Sequence, residues 1–272
     1  MIIFPQAKIN LGLRITGKRP DGYHDIETLF YPVRLSDALE FVLLDASLKK
    51  DVFSITGINM GSNPEDNLVL KAVKKLRETH SFPLLKIHLH KAIPVGAGLG
   101  GGSSDAACLL KSLNRRFGLS IDEQNLKTIA LELGSDCPFF INCSPSFASG
   151  RGEILKPIKP VLAGYYLVLL NPGVGVSTRE AYQNCRPENP DNSLLQLIDH
   201  PVTEWKELII NDFEEFAFRK HPLIGEIKME LYKSGALFSS MSGSGSSVYG
   251  IFSKKSNIPD ILKDFVIYEG VM

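Results

Sequence analysis

Residues 94–107 read PVGAGLGGGSSDAA and hold five of the chain's glycines. No other stretch constrains the fold as much. Glycine has no Cβ, so its backbone reaches positive φ and lets a ligand come close. A helical pattern follows at once. Leu110, Leu113 and Phe117 repeat at helical spacing, Gly118 is a stop signal, and Ser103 or Ser104 is the expected N-cap. A glycine-rich loop that feeds a helix N-terminus gathers unpaired N–H groups and the positive end of the helix dipole in one place. That combination is an anion site, most often one for phosphate.

A dinucleotide reading of the same residues is the weaker one. Gly96, Gly98 and Gly101 fit GxGxxG, and Asp122 lies about 20 residues on. A dinucleotide strand, however, is a continuous apolar run buried on both faces. The strand before this loop is LKIHLHK, in which Leu85, Ile87 and Leu89 alternate with Lys86, His88 and His90. Pro94 separates strand from loop, and several β-like runs come earlier in the chain. The GxxxxGK[ST] phosphate loop is absent too, because no Lys follows the glycines.

A chain of 272 residues allows one large or two ordinary domains. Lys plus Arg equals Asp plus Glu at 30 each, so no global basic field recruits nucleic acid or membrane. No apolar run approaches the ~20 residues that span a bilayer. The start, MIIFPQAKIN, lacks the charged region of a leader, so a cytoplasmic protein is expected. Cys108, Cys137, Cys143 and Cys185 form no CxxC and suggest reduced thiols rather than zinc or a redox pair.

Residues 7–15, AKINLGLRI, alternate. Ile9, Leu11, Leu13 and Ile15 take one face; Lys8 and Asn10 take the other, roughly 7 Å apart, where a solvated strand face is the plain reading. Residues 17–23, GKRPDGY, are turn chemistry. Residues 26–33, 38–44, 52–57 and 85–91 read as strands, with a polar loop at 59–66 and a helical stripe from Leu68 to Leu76. His88 and His90 make an HxH pair with no third ligand in view. Ser120 with Glu123 reads as a capping box for a helix that ends at Gly134, which puts Asp136 at a junction just past it.

Residues 145–160 carry three prolines and a GRGE turn and mark a domain boundary, dividing the chain into 1–155 and 156–272. Beyond it, YYLVLLN at 165–171 reads as a buried strand and 178–184 as a short helix. Proline and asparagine fill 187–193. Helices cover 202–219, with Trp205 on an amphipathic face, and Ile224, Ile227 and Leu231 mark another. Strands at 236–241 and 248–252 flank SGSGSS, and a helix near 259–265 and a strand at 265–268 follow. That order suits a split-βαβ sandwich. SGSGSS at 242–247 is a second small-residue loop, fit either for a hairpin turn or for two backbones converging on one polyphosphate.

Together these residues resemble the GHMP kinases. The family's phosphate loop is similar to PVGAGLGGGSSDAA, and its C-terminal glycine motif to SGSGSS. Residues 7–28, AKINLGLRITGKRPDGYHDIET, and 133–140, LGSDCPFF, are most similar to the branch whose members phosphorylate a cytidine diphosphate-linked methylerythritol in non-mevalonate isoprenoid synthesis. The resemblance covers essentially the whole chain. It implies an α+β, two-domain fold: a β-rich N-terminal α/β domain with the glycine loop and a C-terminal split-βαβ, ferredoxin-like domain, with the active site in the cleft between them.

It implies ATP as phosphoryl donor with Mg2+. The phosphates are expected at Pro94, Gly96, Gly98, Gly100, Gly101, Gly102, Ser103 and Ser104, and the adenosine end at Asn67, Leu68 and Lys91. Lys8 and Asp136 are implied as the catalytic pair, with Asp136 accepting the hydroxyl proton and Lys8 offsetting charge. Asn10 would hold the acceptor end. Tyr23 and Tyr182 would flank the cytosine, His24 would read its edge and Thr178 would assist. The implied partner is thus a small molecule, with no nucleic acid and no membrane. Asp105, just behind the loop, suits the helix dipole but repels phosphate, so it is expected to point away from the phosphates or to reach them only through the metal. A GHMP kinase for another small acceptor, or a nucleotide-binding regulator without catalysis, are the competing readings. A cytosine-sized aromatic arm at GYH disfavours the first, and retention of Lys8, Asp136 and all three loops disfavours the second.

Overall fold

The computed structural model describes residues 1–44, 49–59, 61, 64–188 and 192–272. Parts of the loops expected at 59–66 and 187–193 lie outside the described residues. In chain order the first half runs β1 (Ile2–Ile3), β2 (Gln6–Lys18), β3 (His24–Ser36), β4 (Ala38–Leu43), β5 (Val52–Gly57), α1 (Leu68–Arg77), β6 (Leu85–Lys91), α2 (Gly101–Phe117), α3 (Glu123–Leu133) and α4 (Cys137–Asn142). The second half runs β7 (Ser146–Ser149), β8 (Ile154–Pro157), β9 (Tyr166–Leu170), α5 (Thr178–Gln183), α6 (Leu194–Leu197), α7 (Trp205–Leu208), α8 (Glu214–Lys220), α9 (Pro222–Lys233), β10 (Phe238–Met241), β11 (Val248–Phe252), α10 (Asp260–Lys263) and β12 (Val266–Val271).

Contacts group these elements into two compact units. The first holds Met1–Lys8, Pro32–Val95 and Gly100–Ser144; the second holds Ile9–Tyr31, Gly96–Leu99 and Pro145–Met272. The units are therefore not two consecutive lengths of chain.

The first unit is built on a sheet of order β1-β4-β6-β5, antiparallel except for the β5–β6 pair. On β6 the alternation expected from LKIHLHK holds: Leu85, Ile87 and Leu89 are buried, while His88 and His90 face the β5 hydroxyls of Ser54 and Thr56 at 2.9–3.0 Å. Helix α2 packs against α1, α3 and α4. It starts earlier than the serines suggest. Gly100 is the N-cap, in the left-handed region at φ 69°, and Ser104 N donates to Gly100 O at 2.9 Å. A glycine run opens a helix with no Cβ penalty and no side-chain cap. Ser103 and Ser104 thus lie in the first turn, and Asp105 falls just beyond it. Helix α3 also differs from expectation. Its N-cap is Asp122, which accepts from Asn125 N at 2.8 Å, whereas Ser120 sits outside the helix at φ 57°. The N-cap of α1 is Asn67, accepting from Val69 N at 2.8 Å.

The second unit contains the sheet β10-β11-β9-β12, antiparallel at every pairing. With β9 taken as its first strand, this is the order of a split-βαβ fold. Each residue of β9 is buried, as its unbroken apolar run requires. Leu13, Ile15, Val168, Leu170, Ile224, Ile227 and Leu231 share one core. Residues 145–160 contain a hairpin. β7 pairs with β3 through Leu29↔Phe147, and β8 closes that sheet as an edge strand, where Pro157 is tolerated. Trp205 is fully buried, its indole donating to His200 O at 2.9 Å. No helix among the described residues is long and apolar enough to cross a membrane.

Asn211 shapes the loop after β10. Its Nδ2 donates to the carbonyls of Met241 and Gly243, each at 2.8 Å, and its Oδ1 accepts from Phe213 N at 3.0 Å. Asn211→Ala strands three buried backbone groups and is expected to lower the unfolding free energy by about 2–4 kcal/mol, read from the shift in urea midpoint at unchanged slope.

Candidate active site

In the first unit a lysine and a carboxylate meet at the start of α2. Lys8 lies on β2 with its side chain only 4% exposed, and its Nζ is 3.5 Å from Oδ2 of Asp136, which is 35% exposed. The solvated strand face is thus not what forms; both faces of β2 are covered around Lys8. Burial pulls the Lys8 ammonium below its ordinary pKa, and the Asp136 charge works against that fall. Asp136 is delivered by the turn after α3, as the residue that caps α4. Gly100 closes the group: a Cβ there would sit 2.8 Å from the Phe140 ring and 3.2 Å from Lys8 Cε. The stem of Lys8 therefore lies against the backbone from which α2 springs.

Other expected phosphate residues gather nearby. Ser103 lies against the Cys137 thiol, and Leu68 approaches Gly102, where a Cβ would be 3.8 Å from Leu68 Cδ1. Lys91 departs from expectation. Its side chain is 1% exposed, and its Nζ donates to Asp37 and, at 2.9 Å, to Asp105 Oδ2. An ammonium so enclosed is committed to two carboxylates, not open to the adenosine end of a nucleotide. Asp105 turns toward Lys91, accepting from its ammonium.

In the second unit the two small-residue loops meet. A Cβ on Gly98 would stand 1.9 Å from Ser242 O. Ser242 Oγ donates to Gly98 O at 2.8 Å, and Ser247 N donates to Ala97 O at 3.2 Å. Asn10 is buried in the same group. Its backbone N donates to Ser242 Oγ at 3.2 Å and its Nδ2 to Thr28 Oγ1 at 2.8 Å. The contact with Ser242 makes Asn10 an organiser of the second loop as well as a candidate for the acceptor. Thr178 joins this loop as well, its hydroxyl 2.8 Å from that of Ser244.

The aromatic residues of the second unit form a cluster. His24 stacks on Tyr182 at 5.0 Å between centroids, and Tyr182 meets Phe213 edge to face at 4.9 Å. Tyr23 is 54% exposed and carries the Arg151 guanidinium over its ring at 4.7 Å. Its exposed ring is a stacking platform of the kind a base needs. Sequence reasoning missed Arg151, Thr28, Asp37 and the contact of Ser242 with Gly98. Each depends on a partner far along the chain, and no local spacing announces it.

Residues 67–144 match the GHMP kinases N terminal domain, and residues 195–266 match the GHMP kinases C terminal. A 4-diphosphocytidyl-2-C-methyl-D-erythritol kinase of Bacteroides thetaiotaomicron is 54% identical, over 96% of this chain and 95% of its own length. One from Parabacteroides distasonis is 50% identical, over 99% of each chain. A crystal structure of a 4-(cytidine 5'-diphospho)-2C-methyl-D-erythritol kinase superposes with a TM-score of 0.77 at 33% identity, covering 92% of this chain and 90% of the other.

Two glycine positions of the loop separate two effects. Gly98 has φ +77° and a carbonyl where its Cβ would go; Gly96 has φ +64° and nothing within 4 Å. Gly96→Ala is expected to cost about 1 kcal/mol for backbone strain alone, and Gly98→Ala about 3 kcal/mol or more from strain plus overlap. Urea unfolding of the two variants side by side measures the difference.

Proposed function

We infer that this chain, which belongs to the GHMP kinase family and within it to the 4-diphosphocytidyl-2-C-methyl-D-erythritol kinases, transfers a phosphoryl group from ATP to the 2-hydroxyl of 4-diphosphocytidyl-2-C-methyl-D-erythritol, in non-mevalonate isoprenoid precursor synthesis. The observation that carries the mechanism is the buried Lys8 ammonium 3.5 Å from the open carboxylate of Asp136, with Gly100 packed on the lysine stem. A cytoplasmic setting goes with this reading.

Phosphoryl transfer needs positioning and charge neutralisation more than covalent chemistry. On this reading residues 96–104 take the donor phosphates on backbone N–H groups and the positive end of α2. Magnesium would come with them. It favours oxygen donors, and the substrate phosphates would supply most of them, which leaves Asp136, one-third open beside the start of α2, for the acceptor hydroxyl. When bound, the ion spreads phosphate charge. Asp136 accepts the proton of the attacking hydroxyl. Lys8, held charged against burial by Asp136, faces the charge that develops on the transferred group. Tyr23 offers its open ring to the cytosine, with His24, Tyr182 and Thr178 supplying the rest of that end of the substrate.

Incubation with ATP, Mg2+ and 4-diphosphocytidyl-2-C-methyl-D-erythritol, following ADP release, is expected to give turnover that mevalonate, homoserine and galactose do not. Asp136→Asn is expected to reduce kcat by about a hundred- to ten-thousand-fold, and Lys8→Ala to be crippled likewise, with far-UV circular dichroism unchanged in both. Turnover with another acceptor would keep the family and remove the cytosine assignment. ATP binding without turnover on any acceptor would favour the regulator.

A further inference from the structure

Behind the glycine loop lies a second charged group that the transfer mechanism does not use. Asp37, Lys91 and Asp105 have side chains 0%, 1% and 2% exposed. Asp37 Oδ1 accepts from the backbone N–H of Ala92 at 2.6 Å and of Ile93 at 2.8 Å, the residues that lead from β6 toward the glycines. Its other oxygen takes the Lys91 ammonium, which in turn donates to Asp105 on the far side of the loop. The same ammonium sits under the first helical residue: a Cβ on Gly101 would be 3.1 Å from Lys91 Nζ. Asp105 Oδ1 is buried with no hydrogen-bond partner.

We propose that Asp37, Lys91 and Asp105 form a positioning device for the nucleotide phosphates, clamping residues 92–93 and 105 so that the glycines between them hold their shape, and that the device takes up one proton when nucleotide binds. The proposal rests on the reading of this loop as an ATP site. The charge count motivates the proton. Two carboxylates and one ammonium leave one net negative charge out of water, which is unfavourable unless a proton neutralises it. Three ionisable groups face Asp105: Lys91, Asp37 and, on its own helix, Cys108. The Cys108 thiol, pushed up to about 11 by burial, stays neutral. Burial raises Asp105, Lys91 opposes this and Asp37 adds to it, with a net result of about 7. In the free protein the positive end of α2 favours the ionised form. A polyanionic phosphate at that end cancels this help and draws the proton onto Asp105.

A carboxyl raised in the folded state holds a proton that the unfolded chain has released. Its stabilising contribution is complete below about pH 4 and is lost as pH rises through about 7. Nucleotide, which favours the protonated form, binds more weakly above that pH. Asp105→Asn keeps the shape and the bond to Lys91 and imitates the protonated group at every pH.

The experiment measures KM for ATP, and calorimetric affinity for ATP with Mg2+, from about pH 6 to 8.5 for wild type, Asp105→Asn and Asp105→Ala. Wild type is expected to weaken about tenfold relative to Asp105→Asn across that range, while the two agree at its acid end. Asp105→Ala, with no bond to Lys91, is expected to show a KM raised several-fold at every pH with a smaller change in kcat. Parallel pH profiles for wild type and Asp105→Asn would overturn the proton, and a wild-type KM in Asp105→Ala would overturn the clamp. If the variants do not fold, infrared difference spectra of wild type, nucleotide-bound minus free near pH 7.5, decide: a gained protonated-carboxyl band supports the proposal and its absence overturns it. Wild type without turnover but with ATP binding would condemn the kinase reading alone, because the affinity comparison still stands. No nucleotide binding at all would overturn both.

Discussion

At Gly98 two stretches of backbone meet with no room for a side chain. The Ser242 carbonyl occupies the place where a Cβ would be, 1.9 Å from its ideal position. The second unit is arranged around this contact. Ser242 turns its hydroxyl onto the Gly98 carbonyl and receives the Asn10 N–H, so β2 joins the same point. Asn211 holds the carbonyls of Met241 and Gly243 on either side of Ser242, which fixes the loop that makes the approach. One absent side chain thus permits a network of polar bonds that satisfies buried backbone groups, and leaves Thr178 and Ser244 to present hydroxyls at the loop's exposed edge.

The first unit solves a different problem, the burial of cations. Lys8 and Lys91 are both enclosed, yet their partners differ. Asp136 remains one-third open, while Asp37 and Asp105 are closed. A buried ammonium needs an anion to stay charged. Where that anion also reaches solvent, as Asp136 does, one side of the pair stays open. Where the anions are sealed, their bonds tie separate stretches of backbone together. The two lysines stand at Gly100 and Gly101, neighbouring positions at the start of α2. A cation at a helix N-terminus works against the dipole, so each lysine depends on the carboxylate it meets: Asp136 for Lys8, Asp37 and Asp105 for Lys91.

Much of the fold was legible along the chain because its causes are local. β5, β6 and β11 lie at the residues that alternation and apolar runs mark out, and Gly118 and Gly134 stop α2 and α3 where glycine stops a helix. Local signals misled where a side chain competed with the backbone. Ser103, Ser104 and Ser120 look like caps, but Gly100 reached the left-handed region more cheaply than serine, and Asp122 offered α3 a stronger acceptor. The proline-rich residues 145–160, read as a domain boundary, contain a hairpin in which Pro157 ends the edge strand β8.

The sequence by itself determined the phosphate loop, the split-βαβ order and the residue types needed for transfer to a hydroxyl. Glycine freedom, apolar period and motif spacing are properties of neighbouring residues. Only the tertiary structure decided which of these charged residues pair and which of them stay open to solvent. Lys8 and Asp136 are brought together from opposite ends of the first unit's chain, and Lys91 is turned inward by Asp37, which no spacing rule connects to it. Charge pairing inside a protein depends on distance through space and on exclusion of water, and both exist only once the sheet and helices have closed around the side chains.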